Sequence, residues 1–123
     1  MFYLGIDIAK NTHVASLLDE KGKTIFKGFS FSNTTDGGKS LLEIIKKHSD
    51  FTDVTVAMEA TGHYWLSIYS FLYDYNFYAI HVINPIQTDG WRKGTEIRKR
   101  KNDTIDSVLI ADLIRYGDFV ETT

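Results

Sequence analysis

One acidic side chain, that of Asp7, lies in the middle of a short apolar stretch with the sequence FYLGIDIAK (residues 2–10). This stretch predicts a buried β-strand, and a carboxylate within a buried strand is costly unless something pairs with it. Because side chains alternate along a strand, Asp7 points away from its aliphatic neighbours. The nearest residues on its own face are Gly5 and Ala9, which leave room beside the carboxylate for a metal ion or a close backbone. Asp7 is therefore the first candidate for a functional residue.

Hydrophobic periodicity predicts seven further elements along the chain. The predicted strands are residues 12–19, 23–32, 53–60 and 77–83, and the predicted helices are residues 34–48, 63–75 and 102–116. A tight turn is expected at residues 20–22, and a polar loop at residues 86–101. Three consecutive strands followed by helix-crossed strands indicate an α/β fold, a mixed sheet flanked by helices. The 123 residues fit a single domain, residues 1–123.

Three more acidic residues occupy comparable positions. Glu59 lies near the end of the strand at residues 53–60, among small neighbours and opposite the apolar face. Asp103 and Asp106 are three residues apart, so they are neighbours on the last helix, on the side that carries its apolar stripe. Carboxylate oxygens are the ligands that Mg²⁺ prefers, and two such ions about 3.5–4 Å apart promote cleavage of a phosphodiester. Together with Asp7, these acids predict a metal site for phosphoryl chemistry.

Each acid also has a structural explanation. Asp7 and Glu59 are placed where strands commonly end at solvent. Asp103 suits the N-cap of the last helix, with Asp106 as its capping-box partner, and the helix dipole favours both charges there. For the Asp103 and Asp106 pair taken alone, capping explains the sequence as well as metal binding does. Both interpretations stay open at this point.

A basic segment precedes the acidic pair. Residues 92–101 contain six of the fourteen lysines and arginines and one acid, a net charge of +5, whereas the rest of the chain carries −7. Such a run indicates either a polyanion contact or a solvated charged loop. The six candidate phosphate-binding residues are Arg92, Lys93, Arg98, Lys99, Arg100 and Lys101.

Composition excludes several classes of protein. The chain has no cysteine, so disulfides and thiolate metal sites are excluded. No segment approaches the roughly 18 to 20 apolar residues of a membrane span, and the N-terminus lacks the features of a signal peptide. A cytoplasmic location without a membrane partner is expected. The helix at residues 63–75 carries more aromatic surface than one sheet face covers, which indicates either a large core or an interface with another domain or subunit.

Four segments together resemble one family: GIDIAK (residues 5–10), MEATGHYW (58–65), INPIQTDGWRKG (83–94) and RKRKNDTIDSVLIADLIR (98–115). They are similar to the N-terminal domain of the DEDD transposases, the insertion-sequence family one-ten, which includes the Piv and MooV invertases. The resemblance covers essentially the whole chain in the right order. The family's last motif, K-T-D-x-x-D-A, reads here with Asn102 in place of threonine and Ser107 in place of alanine.

The resemblance implies a ribonuclease H-like, RuvC-like fold, with Asp7, Glu59, Asp103 and Asp106 as the catalytic, metal-binding acids. It implies Mg²⁺ or Mn²⁺ as cofactor, and DNA together with a structured guide RNA as partners. It also implies a homo-oligomer in the full-length form. Family members continue into a second, C-terminal domain with a nucleophilic serine that has no counterpart here, so the chain is expected to be a catalytic fragment.

Three functions are therefore compared. The first is a metal-dependent DNA strand cleavage and transfer domain of an insertion-sequence transposase. The second is a non-catalytic nucleic-acid-binding or assembly module with the same fold. The third is an actin-like phosphotransferase, which only the segment GIDIA (residues 5–9) suggests. The next residues depart from that class, because Ala9, Lys10 and Asn11 stand where it has glycine and hydroxyl residues.

Overall fold

A five-stranded mixed sheet forms the centre of the computed structural model. The structure describes residues 1–59, 62–83 and 103–117. In the last of these segments the side chains are described from Asp106 onward. The elements follow the predicted order. They are β1 (Phe2–Asp7), β2 (Thr12–Leu18), β3 (Thr24–Ser32), α1 (Thr35–Lys46), β4 (Val54–Glu59), α2 (Trp65–Asp74), β5 (Ala79–Ile83) and α3 (Asp103–Tyr116). The predicted boundaries were up to three residues too wide, and the 3₁₀ turn at Phe51–Asp53 was missed. The predicted loop at residues 86–101 lies outside the described residues.

The strand order in the sheet is β3-β2-β1-β4-β5. β1, β2 and β3 pair antiparallel, while β4 pairs parallel with both β1 and β5. The β2–β3 turn is the predicted one, and it is closed by Asp19, whose carboxylate accepts hydrogen bonds from the backbone N–H groups of Lys21 and Lys23, both at 2.9 Å. The prediction of a mixed α/β sheet is thus confirmed.

One face of the sheet forms the main core with α1 and α2. The aliphatic side chains that alternate with Asp7 and Glu59 point into it, as the strand period predicts. Thr34 is the N-cap of α1, and its hydroxyl accepts a hydrogen bond from the Gly37 N–H at 3.0 Å. Fully buried members of this core are Leu4, Ile6, Leu41, Ile45, Val56, Met58 and Leu72.

The other face of the sheet is covered by α3. Its predicted apolar stripe is buried against Ala57 and Ile83, and it comprises Ile110, Leu113 and Ile114. The helix crosses β1 at Gly5. A Cβ atom at Gly5 would overlap the carbonyl oxygen of Ser107 and approach the Ala111 nitrogen to 2.5 Å. The space beside Asp7 on this side is therefore filled by helix backbone, which was one of the two predicted occupants.

A bulge interrupts the pairing of β2 with β3. Ala15 pairs with Phe29 and Leu17 pairs with Phe26, so two residues of β3 lie opposite Ser16 alone. One of them, Gly28, has a φ of +70°, a conformation that glycine adopts without strain. The bulge directs the Gly28 N–H to the Ser16 hydroxyl at a distance of 3.1 Å.

Several large apolar side chains of α2 and of the segment just before β5 stay exposed. Leu66 is 52%, Tyr73 53% and Tyr78 62% exposed, and the rings of Tyr73 and Tyr78 make an edge contact. The core therefore leaves part of the aromatic surface of α2 exposed. An interface with another domain or subunit would require such an exposed surface. None of the helices in the described segments is long and apolar enough to cross a bilayer.

Candidate active site

Asp7 and Glu59 end two neighbouring parallel strands. The β1–β4 register runs from Phe2 opposite Val54 to Ile6 opposite Met58, and one further step places Asp7 beside Glu59. Adjacent strands are about 4.8 Å apart, so the two acids begin from neighbouring backbone positions on the face that α3 covers. Both side chains are partly exposed. The fold thus brings together two acids that are 52 residues apart in the sequence.

Asp106 reaches the same face from α3. It is buried, with 6% of its surface exposed, and it directly precedes Ser107, whose carbonyl lies against Gly5 of β1. The prediction that Asp106 projects toward the sheet agrees with this burial. Asp103 is the first residue of α3, one turn before Asp106. Its side chain lies outside the described part.

The donor chemistry of these residues suits a hard divalent cation, because every candidate ligand is a carboxylate. Among the side chains that the structure describes, however, no three His, Asp or Glu residues are grouped closely enough to hold a metal ion. Asp7, Glu59 and Asp106 share a face without forming a complete ligand set by themselves. The side chain of Asp103, the fourth predicted ligand, lies outside the described residues.

The six basic residues predicted to contact phosphates all lie outside the described residues. Residues 84–102 include Arg92, Lys93 and the run from Arg98 to Lys101. Only the sequence relates them to the acids: their segment directly precedes α3, which carries Asp103 and Asp106. Their role in nucleic-acid binding stays a prediction.

His13 is a feature that the sequence did not single out. It is fully buried on the α1 and α2 face, and its Nδ1 accepts a hydrogen bond from the Ala9 N–H at 3.2 Å. In the neutral ring Nε2 therefore carries the proton, and within the described segments this buried Nε2 has no hydrogen-bond partner. The contact fixes the turn that begins two residues after Asp7. No periodicity predicts it, because it depends on how that turn folds back.

The environment of His13 favours its neutral form. Burial lowers the pKa of His13 below its ordinary value of 6.5, and the Asn33 side chain opposes part of that change. Burial also lowers the pKa of His81 on β5, whose register partner is Ala57. Both rings are thus kept uncharged in the folded state at neutral pH.

We expect the folded chain to lose stability as the pH falls below 6.5. A histidine with a lowered folded-state pKa stabilises the fold fully above its unfolded-state pKa, and this contribution is lost as the pH falls through the folded-state value. The limiting slope is about 1.4 kcal/mol per pH unit for each such histidine. Urea unfolding from pH 7.5 to 5.0 measures it. His13→Gln should flatten the profile, whereas the exposed control His48→Gln should not. If the pH dependence of stability is the same in His13→Gln as in the wild type, its assignment to His13 is wrong.

Comparisons with known proteins address the fold and the family. A family model described as a transposase, of the DEDD type found in IS110 elements, matches residues 4–123. The pilin gene-inverting proteins of Moraxella bovis and Moraxella lacunata are each 31% identical to the chain over 116 residues. These alignments cover 94% of this chain and 34% of each relative, so the chain spans about a third of the length of those proteins.

Solved structures share the architecture. A structure of Thermus thermophilus RuvC superposes with a TM-score of 0.66 at 13% identity, covering 99% of this chain and 100% of that one. A second RuvC structure, in complex with a Holliday junction substrate, gives a TM-score of 0.59 at 12% identity and covers 99% of both chains. The fold is RuvC-like, within the ribonuclease H-like class, as the sequence resemblance implied.

Proposed function

Because this chain belongs to the DEDD transposase family, we propose that it is the metal-dependent domain that cleaves and transfers DNA strands in insertion-sequence recombination. One observation carries the proposal: Asp7 and Glu59 end adjacent parallel strands on the face that α3 crosses, and Asp106 is buried at that crossing. Carboxylates that share one face of a sheet repel one another, and a bound divalent cation would offset that repulsion.

In this proposal Asp7 is the central ligand of Mg²⁺ or Mn²⁺, and Glu59, Asp103 and Asp106 complete the set. The bound ions would supply an activated water or hydroxyl and stabilise the leaving oxygen. The contribution of the chain is to hold the carboxylates on rigid elements. Asp7 and Glu59 are fixed by paired strands, while Asp106 is fixed by a helix that is packed directly on backbone.

DNA is the proposed substrate, with Arg92, Lys93, Arg98, Lys99, Arg100 and Lys101 neutralising phosphates along it. The family match and the RuvC-like fold support DNA recombination in general. Guide-RNA binding, homo-oligomer formation and a further C-terminal domain with a serine nucleophile belong to the same proposal. The exposed Leu66, Tyr73 and Tyr78 provide apolar surface for such an assembly. A cytoplasmic location stays a prediction.

Calorimetric titration of Mn²⁺ tests the metal site directly. We expect the wild-type chain to bind Mn²⁺, and both Asp7→Asn and Asp106→Asn to weaken binding at least about tenfold, because each removes a charged oxygen ligand while keeping the side-chain volume. The matched control is Asp74→Asn, an exposed acid at the end of α2. Circular dichroism must first show that all four proteins fold.

The outcomes separate two functions. Binding that requires both Asp7 and Asp106 places acids of β1 and α3 in one site. Binding that neither substitution alters contradicts the proposed ligands. The lack of a three-acid cluster among the described side chains favours a second candidate, a non-catalytic nucleic-acid-binding or assembly module. That module would bind DNA equally well after Asp7→Asn or in the presence of a chelator.

A further inference from the structure

Two buried serines join α3 to the sheet beside the candidate active site. The hydroxyl oxygens of Ser16 on β2 and Ser107 on α3 are 2.7 Å apart, and both residues are fully buried. Ser16 is the register partner of Gly5, the residue over which α3 crosses. The contact joins residues 91 positions apart in the sequence. It is a specific contact between two hydroxyl groups within the helix–sheet interface.

We infer that Ser16 is a positioning residue for Asp106: its hydroxyl, held by the β3 bulge, fixes the first turns of α3 through Ser107. This inference rests on the proposed function, since it concerns one of the proposed ligands. Ser107 directly follows Asp106, and successive helical residues are about 100° apart around the axis. Fixing Ser107 against β2 therefore fixes the direction in which Asp106 leaves the helix.

The bulge explains why this hydroxyl link is rigid. Two residues of β3 oppose Ser16, and the N–H of one of them, Gly28, donates to the Ser16 oxygen at 3.1 Å. The Ser16 hydroxyl is thus held from the β3 side and contacts Ser107 on the other. Because both serines are fully buried, water does not replace a lost partner without a structural change. The link runs from β3 through β2 to α3.

Backbone packing and the serine contact together limit the movement of α3. The Ser107 carbonyl and the Ala111 nitrogen approach Gly5 so closely that the helix cannot sink further toward β1. This contact fixes the height of the helix above the sheet, whereas a directional bond also restrains its rotation and its shift along the strands. The Ser16–Ser107 hydrogen bond supplies that direction. Loss of the bond should therefore displace Asp106 without unfolding the domain.

The test compares Ser16→Ala, Ser107→Ala and the double variant with the control Ser40→Ala. In the wild type the Ser40 hydroxyl donates a hydrogen bond to the Gly37 carbonyl within α1, at 2.6 Å. Amide hydrogen exchange of residues 108–111, measured without metal, reports the turn of α3 that directly follows Ser107. We expect at least tenfold faster exchange there in both Ser16→Ala and Ser107→Ala, since each substitution removes the same hydroxyl link between β2 and α3. The double variant should resemble either single variant for the same reason.

Mn²⁺ affinity is the second readout, and a merely structural role would leave it unchanged while the domain stays folded. We expect about a tenfold loss in Ser16→Ala and none in Ser40→Ala. Unchanged exchange at residues 108–111 in Ser16→Ala overturns the inference, whatever the metal data show. Faster exchange with wild-type Mn²⁺ affinity overturns the positioning role. If the wild-type chain binds no Mn²⁺, the proposed ligand set fails for this chain, and hydrogen exchange alone decides whether Ser16 orders α3.

Discussion

Replacing Gly5 by alanine is expected to lower the free energy of unfolding by about 3 kcal/mol or more, at the upper end of the effects of overpacking. The added Cβ would meet the carbonyl of Ser107 and the nitrogen of Ala111, both of which are helix backbone. Backbone atoms cannot rotate away as a side chain does, so α3 as a whole would have to move off β1. For a domain whose total stability is about 5–15 kcal/mol, this is a large fraction.

Urea denaturation of the purified chain measures this effect, and a second-site variant identifies its cause. Ala111→Gly removes the side-chain methyl that would lie 3.0 Å from the new Cβ, but it leaves both backbone contacts in place. We therefore expect Ala111→Gly to restore little of the stability lost in Gly5→Ala. Full restoration would show that the overlap is with a side chain and would contradict the backbone argument.

A different glycine provides the contrasting control. At Gly38 the three atoms nearest to an added Cβ would all be ring atoms of Phe71, between 2.6 and 3.0 Å away. A side chain can be shortened, so Phe71→Leu should partly restore the stability of Gly38→Ala. Rescue at Gly38 together with no rescue at Gly5 is the result that distinguishes helix-on-backbone packing from ordinary crowding.

The second large effect concerns catalysis. In the full-length recombinase proposed to carry this domain, Asp7→Asn should reduce the rate of DNA strand cleavage by about a thousandfold, the upper end of the cost of losing one preorganised electrostatic contact. Asparagine has nearly the same volume but no charge, so it cannot serve as a central carboxylate ligand. The fold should survive, because Asp7 is only partly buried at the end of β1. Cleavage of labelled DNA under single-turnover conditions measures the rate.

Three controls make the cleavage experiment interpretable. Asp74→Asn changes an exposed carboxylate on α2 and should leave the rate unchanged. A chelator should abolish cleavage by the wild-type protein, and Mn²⁺ should restore it. DNA binding by Asp7→Asn should persist, since the proposed phosphate contacts lie in the basic segment. Wild-type cleavage by Asp7→Asn would show that the carboxylate is not catalytic, whereas no cleavage by the wild-type protein would favour the binding-module alternative.

The order of strands and helices was predictable because it depends on local periodicity. Strand alternation placed Asp7 and Glu59 opposite the aliphatic residues that fill the main core, and the structure confirms that division. Helical spacing likewise identified Ile110, Leu113 and Ile114 as the face of α3 that packs on the sheet. The 3₁₀ turn at Phe51–Asp53 was not predictable in this way, because a single turn is too short to show a period.

The sequence by itself determined which residues are candidates for the active site. The four acids with their surrounding motifs, the basic segment and the order of the elements can all be read along one chain. Only the tertiary structure decided what surrounds them. It placed Asp7 beside Glu59 through the β1–β4 register, filled the space at Gly5 with helix backbone, and joined Ser16 to Ser107. These contacts link residues from 52 to more than 100 positions apart in the chain. No local pattern encodes such pairs, since each depends on how separate elements pack against one another.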